Sequence, residues 1–144
     1  MKLDKEKIKK RVSEIKESII EIEKLTSIDE DEFWREKRNI AAVKYYLLQA
    51  IESIGSICVH IIAKKCGKGA SSISECFGIL EKEGIINKDL YTRLRKMVKF
   101  RNKLVHRYWE IDDKLVYNYA RNDIKDFLDF INEIYKVIRI KFLK

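Results

Sequence analysis

The absence of proline constrains the fold of this chain more than any other feature of its sequence. None of the 144 residues is proline and only five are glycine, so little interrupts a helix, because proline breaks helices and glycine weakens them. Apolar residues recur in steps of three and four, the spacing of one helix face. The two clearest stripes are Ile8, Val12, Ile15, Ile19 and Ile22, and Ile40, Val43, Leu47, Ile51, Ile54, Cys58 and Ile61. The sequence therefore predicts an all-α fold.

Capping signals divide these stripes into about five helices. A serine followed three residues later by glutamate marks a helix start, asparagine and aspartate are common N-caps, and glycine marks a helix end. The predicted helices cover about Lys2 to Leu25, Ser27 to Lys65, Ser72 to Gly84, a segment after Asn87, and Asp112 to near the C-terminus. The last two carry inward-facing residues, namely Leu90, Leu94, Met97 and Val98, and then Val116, Tyr119, Phe127, Phe130, Ile134 and Ile138.

The length and the helix order predict one domain over residues 1–144, an up-and-down antiparallel bundle. Its wide apolar stripes are consistent with a homodimer. The longest nearly apolar run, Ile57 to Ala63, is too short to cross a bilayer, so we expect no membrane segment. Three cysteines without C-x-x-C spacing and a polar N-terminus indicate unpaired thiols and a cytoplasmic protein. We expect no metal site, and we expect His60 to be a core or interface histidine.

Most of the net charge of +8 is concentrated in one segment, Leu90 to Trp109. This segment contains seven basic residues and no acidic residue, and it also contains four aromatic residues. Such a run suits a groove for an RNA backbone with stacking surfaces, whereas a solvated helix face is the alternative. The predicted RNA-binding residues are Arg95, Lys96, Lys99, Lys103 and Arg107.

Arg101 and His106 are the residues of this segment that point to chemistry. Arg101 lies on the apolar stripe that begins at Leu94, and a charge in a core-facing position needs a ligand or an ion-pair partner. A salt bridge, for example to an acid on the last helix, is the alternative to a ligand. His106 carries the side chain best suited to move protons near neutral pH.

The spacing of Arg101 and His106 raises a geometric difficulty. Five residues of a straight helix turn through about 140°, so the two side chains would not share a face. Three solutions are open. The helix ends near His106, the long arginine reaches round, or a second protomer supplies the missing group. We favour the second protomer.

The residues from Arg101 to Tyr108 resemble the R-x4-H-x-Y signature of HEPN proteins, and the stretch Met97 to Asp112 is similar to the HepT branch. The resemblance implies a metal-independent endoribonuclease toxin that needs no cofactor. It also implies a homodimer with two motifs in one cleft, and a type VII-like pairing with an MntA-like nucleotidyltransferase antitoxin that silences the toxin by AMPylation of Tyr108. Asn102 fits too, because a polar residue commonly follows the motif arginine.

Chemistry suggests a role for each motif residue. Tyr108 would donate a hydrogen bond or orient the phosphate, and Asn102 would position the cleft. Arg101 would bind the scissile phosphate and stabilise its developing charge, and His106 would transfer the proton. Two alternatives remain open. The first is a non-catalytic HEPN module that binds nucleotide or RNA, or serves as a scaffold for a nucleotidyltransferase. The second is a purely structural bundle with a buried arginine pair. The intact Arg101, His106 and Tyr108 favour catalysis.

Overall fold

The computed structural model describes residues 3–138, and within that range the chain is helical and contains no strand. We number seven α-helices in chain order, and a short 3-10 helix, Tyr108–Glu110, connects the fifth to the sixth. The α-helices are α1 (Lys5–Thr26), α2 (Glu30–Arg35), α3 (Lys37–Lys65), α4 (Ile73–Lys82), α5 (Lys88–His106), α6 (Asp113–Asn122) and α7 (Lys125–Ile138). The predicted all-α bundle is confirmed.

Helix α3 is the centre of the bundle. It packs against α1 along much of its length and also contacts α2, α4, α5, α6 and α7. Every residue that the apolar stripes assigned to the interior of α1 and α3 is buried. By length and composition alone α3 would also suffice to cross a membrane, but 61% of its most apolar stretch is buried inside the bundle. A helix in the core of a bundle can be equally long and apolar, and the buried α3 packs as such a core helix.

The predicted second helix is two helices, and the capping box at Ser27 is wrong. Ser27 has helical backbone angles and ends α1, where its hydroxyl donates to the carbonyl of Lys24. Asp29 precedes α2 instead. The chain then breaks at Glu36, whose extended backbone and side chain cap α3 by accepting the N–H of Arg38. A local cap at Glu36 thus overrides the continuous helix that the sequence predicts.

The predicted last helix is also two helices, α6 and α7, which are separated at Asp123 and Ile124. This break allows α6 to pack against α1 and α3, while α7 packs against α3 and α5. The other predicted caps are confirmed. Ser72, Asn87 and Asp112 each accept a backbone N–H in the first turn of the helix that follows.

Cys58 and Cys76 are joined in a disulfide between α3 and α4, whereas Cys66 is free. The prediction of unpaired thiols is therefore wrong for this pair. The two residues are 18 positions apart in the sequence, but α4 folds back on α3 and brings their Cα atoms to 6.3 Å, a separation that a disulfide spans. Cysteine spacing contains no information about that approach. Because two of the three cysteines are paired, the cysteines no longer support the prediction of a reducing compartment.

Candidate active site

Arg101 lies on the side of α5 that faces α3, and its side chain is 23% exposed. Its Nε donates to Oε1 of Glu52 at 2.6 Å, and its Nη1 donates to Oδ1 of Asn102 at 3.2 Å. The structure therefore contains the salt bridge that was the alternative to a ligand, but its carboxylate belongs to α3 and not to the last helix. The ion pair uses only Nε, and Nη2 forms no hydrogen bond with the rest of residues 3–138.

His106 is the last residue of α5, and its side chain is exposed. The helix ends there because Arg107 leaves the helical region (φ −143°, ψ 45°) while its N–H still bonds to the carbonyl of Lys103. Of the three solutions to the spacing problem, the structure shows a helix end at His106. The side chain of His106 forms no hydrogen bond or ion pair with the rest of residues 3–138, and it is free to meet a ligand.

Tyr108 and Trp109 follow in the 3-10 helix and are both highly exposed, at 69% and 70%. Their rings meet edge to face with centroids 5.6 Å apart. Two aromatic side chains exposed to this extent cost solvation free energy unless something covers them. The structure thus places Tyr108 beyond the end of α5, open to solvent. Of the other predicted site residues, Asn102 alone forms a hydrogen bond with Arg101 within residues 3–138 of one chain.

The five predicted RNA-binding residues do not share one surface. The guanidinium of Arg95 lies over the ring of Tyr91 at 5.6 Å, and Arg107 approaches Glu110 at 3.8 Å. The other three, Lys96, Lys99 and Lys103, line a cleft between α5 and α6. The basic residues of this segment therefore lie on two faces of α5, one towards α3 and one towards α6.

Arg93, the first basic residue of this segment, has a structural role. It donates to Asp126 at 2.6 Å and Asp129 at 2.8 Å on α7, and to Asp89 on its own helix. The hydrogen bond to Asp126 raises the pKa of Arg93 above its usual value, which keeps the guanidinium charged. Tyr119 donates to the other oxygen of Asp126. The ion pair to the last helix that was expected of Arg101 is thus formed by Arg93.

Sequence reasoning missed two features of this region. Glu52 lies 49 residues before Arg101, and nothing about an exposed glutamate on α3 indicates its partner. The part of α6 in a cleft of about 600 Å³ beside α5 was also not foreseen. The sequence predicted a groove along the basic segment that contains Lys96, Lys99, Lys103 and Phe100, but it did not indicate which helix forms the other wall. Within residues 3–138, no group of three or more histidine, cysteine or acidic side chains is arranged to hold a metal ion.

Comparison with known proteins identifies the family. Residues 15–134 match the family model described as ribonuclease HepT-like. The chain belongs to the HepT-like ribonuclease family. A candidate RNase of Archaeoglobus fulgidus is 31% identical over 99 residues, which are 69% of this chain and 74% of that protein.

Solved structures of HepT-like toxins share this fold. The tri-AMPylated HEPN toxin of Shewanella oneidensis, in complex with its MNT antitoxin, superposes with a TM-score of 0.84 and 26% identity. The match covers 90% of this chain and 97% of that one. A toxin–antitoxin structure with AMP-PNP superposes with a TM-score of 0.82 and 26% identity, over 89% of this chain and 97% of its own. The resemblance to HepT proteins that the motif suggested is confirmed.

Proposed function

We propose that this HepT-like protein is a toxin that cleaves RNA without a metal ion, with Arg101 and His106 as its catalytic residues. The observation that carries the proposal is the arrangement at the end of α5. Glu52 holds Arg101 by one edge of its guanidinium, and the unpartnered imidazole of His106 lies exposed at the terminus of the same helix. A positively charged anchor and a free proton carrier lie in one basic segment.

The proposed reaction is a transesterification within the RNA. The ribose 2′-hydroxyl attacks the adjacent phosphorus, so a P–O2′ bond forms and the P–O5′ bond breaks. The 2′-hydroxyl loses a proton to one imidazole, and the 5′-oxygen receives a proton as it leaves. Arg101 binds the non-bridging oxygens, whose negative charge grows in the transition state. Proton transfer by a positioned imidazole contributes about two to four orders of magnitude in rate.

A homodimer would supply both proton-transfer groups, one His106 from each protomer. The face of α3 and α5 around Arg101 supports this. Tyr45 and Val59 lie seven residues on either side of Glu52, so all three share one row of α3, and both are half exposed or more. Val105, four residues beyond Arg101, is 42% exposed. These apolar side chains around a polar pair favour a second copy of the chain as the partner on this face.

The proposed regulation is AMPylation of Tyr108 by an MntA-like nucleotidyltransferase antitoxin in the cytoplasm. The phenol of Tyr108 is accessible to a modifying enzyme, and it lies two residues from His106. An added phosphate there would compete with RNA for the positive charge of the motif. The related S. oneidensis toxin, described as tri-AMPylated and bound to its antitoxin, supports this proposal.

A non-catalytic RNA- or nucleotide-binding module is the second candidate. It is favoured by the absence of a contact between Arg101 and His106 within residues 3–138 of a single chain. The decisive experiment is digestion of a labelled RNA by the purified protein with and without EDTA. We expect cleavage that is unaffected by EDTA and lost in His106→Ala and Arg101→Ala, while circular dichroism shows both variants folded. Loss of cleavage on chelation, or equal activity of the folded His106→Ala variant, would contradict the proposal.

A further inference from the structure

We propose that the cleft between α5 and α6 is a subsite for one unstacked nucleotide of the RNA strand next to the cleavage motif. This inference rests on the proposed function, since it assigns the cleft to the RNA that the motif would cut. Three observations carry it, namely the composition of the cleft floor, the distribution of charge on its two walls, and its position relative to Tyr108.

The floor of the cleft suits a nucleobase. The volume of about 600 Å³ is that of a typical small-ligand site. Its apolar lining is Met97, Phe100, Ile111, Leu115, Val116 and Tyr119. The rings of Phe100 and Tyr119 are inclined by only 27°, with centroids 6.1 Å apart, and the hydrogen bond from Tyr119 to Asp126 fixes that orientation. Leu115 stands at the cleft with 66% of its surface exposed. Such a surface is one on which a planar, apolar group would stack.

The α5 wall of the cleft suits a phosphate backbone. Lys96, Lys99 and Lys103 are spaced by three and four residues, so they form one row along the helix. None of them forms an ion pair with the rest of residues 3–138, in contrast to Arg93 at the inner end of the same row. A ligand that fills the cleft would therefore meet three ammonium groups that form no ion pair within the described part of the chain. This arrangement favours a ligand that is both apolar and anionic.

The opposite wall distinguishes a nucleotide from a simple anion. It contains four acidic residues, Glu110, Asp112, Asp123 and Asp126, and one basic residue, Lys125. Asp126 is neutralised by Arg93, Asp112 caps α6, and Glu110 lies near Arg107. Carboxylates repel a free phosphate or an anionic lipid headgroup, but they accept hydrogen bonds from ribose hydroxyls and exocyclic amino groups. A nucleotide with its phosphate along α5 and its base or sugar towards α6 satisfies both walls.

The cleft also lies where a strand leaving the motif would reach it. Its lining includes Lys103 just before His106 and Glu110 just after Tyr108. The exposed end of α5 therefore lies between the cleft and the face that contains Arg101. RNA bound with its scissile phosphate at the motif would cross the end of α5 and place a neighbouring nucleotide in the cleft.

The test separates this subsite from the cleavage chemistry by working in a full-length His106→Ala background. AMP is titrated into the ¹⁵N-labelled protein, and binding of a fluorescein-labelled octaribonucleotide is measured by anisotropy. We expect AMP to shift the amide signals of Phe100, Leu115 and Tyr119. Leu115→Glu places a carboxylate at an exposed position of the cleft and should weaken octanucleotide binding by about tenfold. Lys103→Gln should weaken it about threefold.

Lys88→Gln is the matched control, because Lys88 is an exposed lysine of α5 outside the cleft. We expect it to leave the affinity unchanged. Unaltered RNA affinity in Leu115→Glu would overturn the subsite, even if the wild-type protein cleaves RNA. Equal shifts with inorganic phosphate and with AMP would also overturn it, since the cleft would then bind only an anion. If AMP shifts the signals of the cleft but the wild-type protein cuts no RNA, the proposed nuclease activity is refuted and nucleotide binding by the cleft is supported.

Discussion

Glu52 accepts a hydrogen bond from Nε of Arg101 at 2.6 Å, across α3 and α5 and across 49 residues of sequence. The pair holds the guanidinium at Nε and Asn102 accepts a hydrogen bond from Nη1, whereas Nη2 forms no hydrogen bond with the rest of residues 3–138. An arginine held in this way loses less conformational freedom when it binds its ligand. Glu52 is therefore expected to act as a positioning residue for the motif arginine.

Replacement of Glu52 tests that role. Glu52→Ala removes the acceptor, and we expect kcat/KM for RNA cleavage to fall about tenfold because Arg101 is no longer oriented. Glu52→Gln keeps an acceptor oxygen and should stay within about threefold of wild type. Both variants remove the negative charge of Glu52. If the cleavage rate falls equally in both, the loss of that charge and not the loss of the acceptor explains the effect. An unchanged or increased rate in Glu52→Ala would rule out positioning.

The network around Arg93 should contribute to stability rather than to RNA binding. Arg93→Met leaves Asp126, which is 5% exposed, without its cationic partner. We expect the free energy of unfolding to fall by about 2–3 kcal/mol, measured by urea denaturation. Asp89→Asn alters the exposed member of the same cluster and should cost no more than about 0.5 kcal/mol. If both variants lower the free energy of unfolding equally, the ion pair between Arg93 and Asp126 is not the stabilising contact.

His60 should make the folded state sensitive to mild acid. Its Nε2 accepts the backbone N–H of Asp4, and burial, together with the nearby charge of Lys7, lowers its pKa below the usual 6.5. Between the two pKa values the unfolded chain binds more protons, so stability is complete above pH 6.5 and decreases as the pH falls towards the depressed value. His60→Gln keeps an acceptor but does not ionise. Urea denaturation between pH 5 and 7 should show a smaller pH dependence in this variant, and identical curves would contradict the role.

Tyr108 should be the acceptor for AMP. After co-expression with an MntA-like nucleotidyltransferase, intact mass spectrometry should show the addition of AMP units, and Tyr108→Phe should abolish it. Tyr91 is the control, because it is a partly exposed tyrosine of α5 that lies outside the motif and outside the proposed dimer face. Tyr91→Phe should be modified like the wild type. Modification that persists in Tyr108→Phe, or that is lost in Tyr91→Phe, would place the acceptor elsewhere.

Local interactions could be predicted well from the chain itself. The stripes of α1 and α3 are buried as predicted, and Ser72, Asn87 and Asp112 cap their helices, because each of these features depends on neighbours within about one turn. The R-x4-H-x-Y motif identified the family for the same reason, since its residues lie within eight positions. Ser27 shows the limit of this approach, because one serine can end a helix as readily as it begins one.

Contacts between distant segments depended on how the helices pack. The amino-acid sequence does not reveal that Glu52 meets Arg101, that Cys76 approaches Cys58, or that α5 and α6 enclose a cleft. Each of these requires the angle and register between two helices, which result from the burial of all the apolar stripes at once. Periodicity places a residue on a helix face, whereas only the assembled bundle determines which residue of another helix lies opposite.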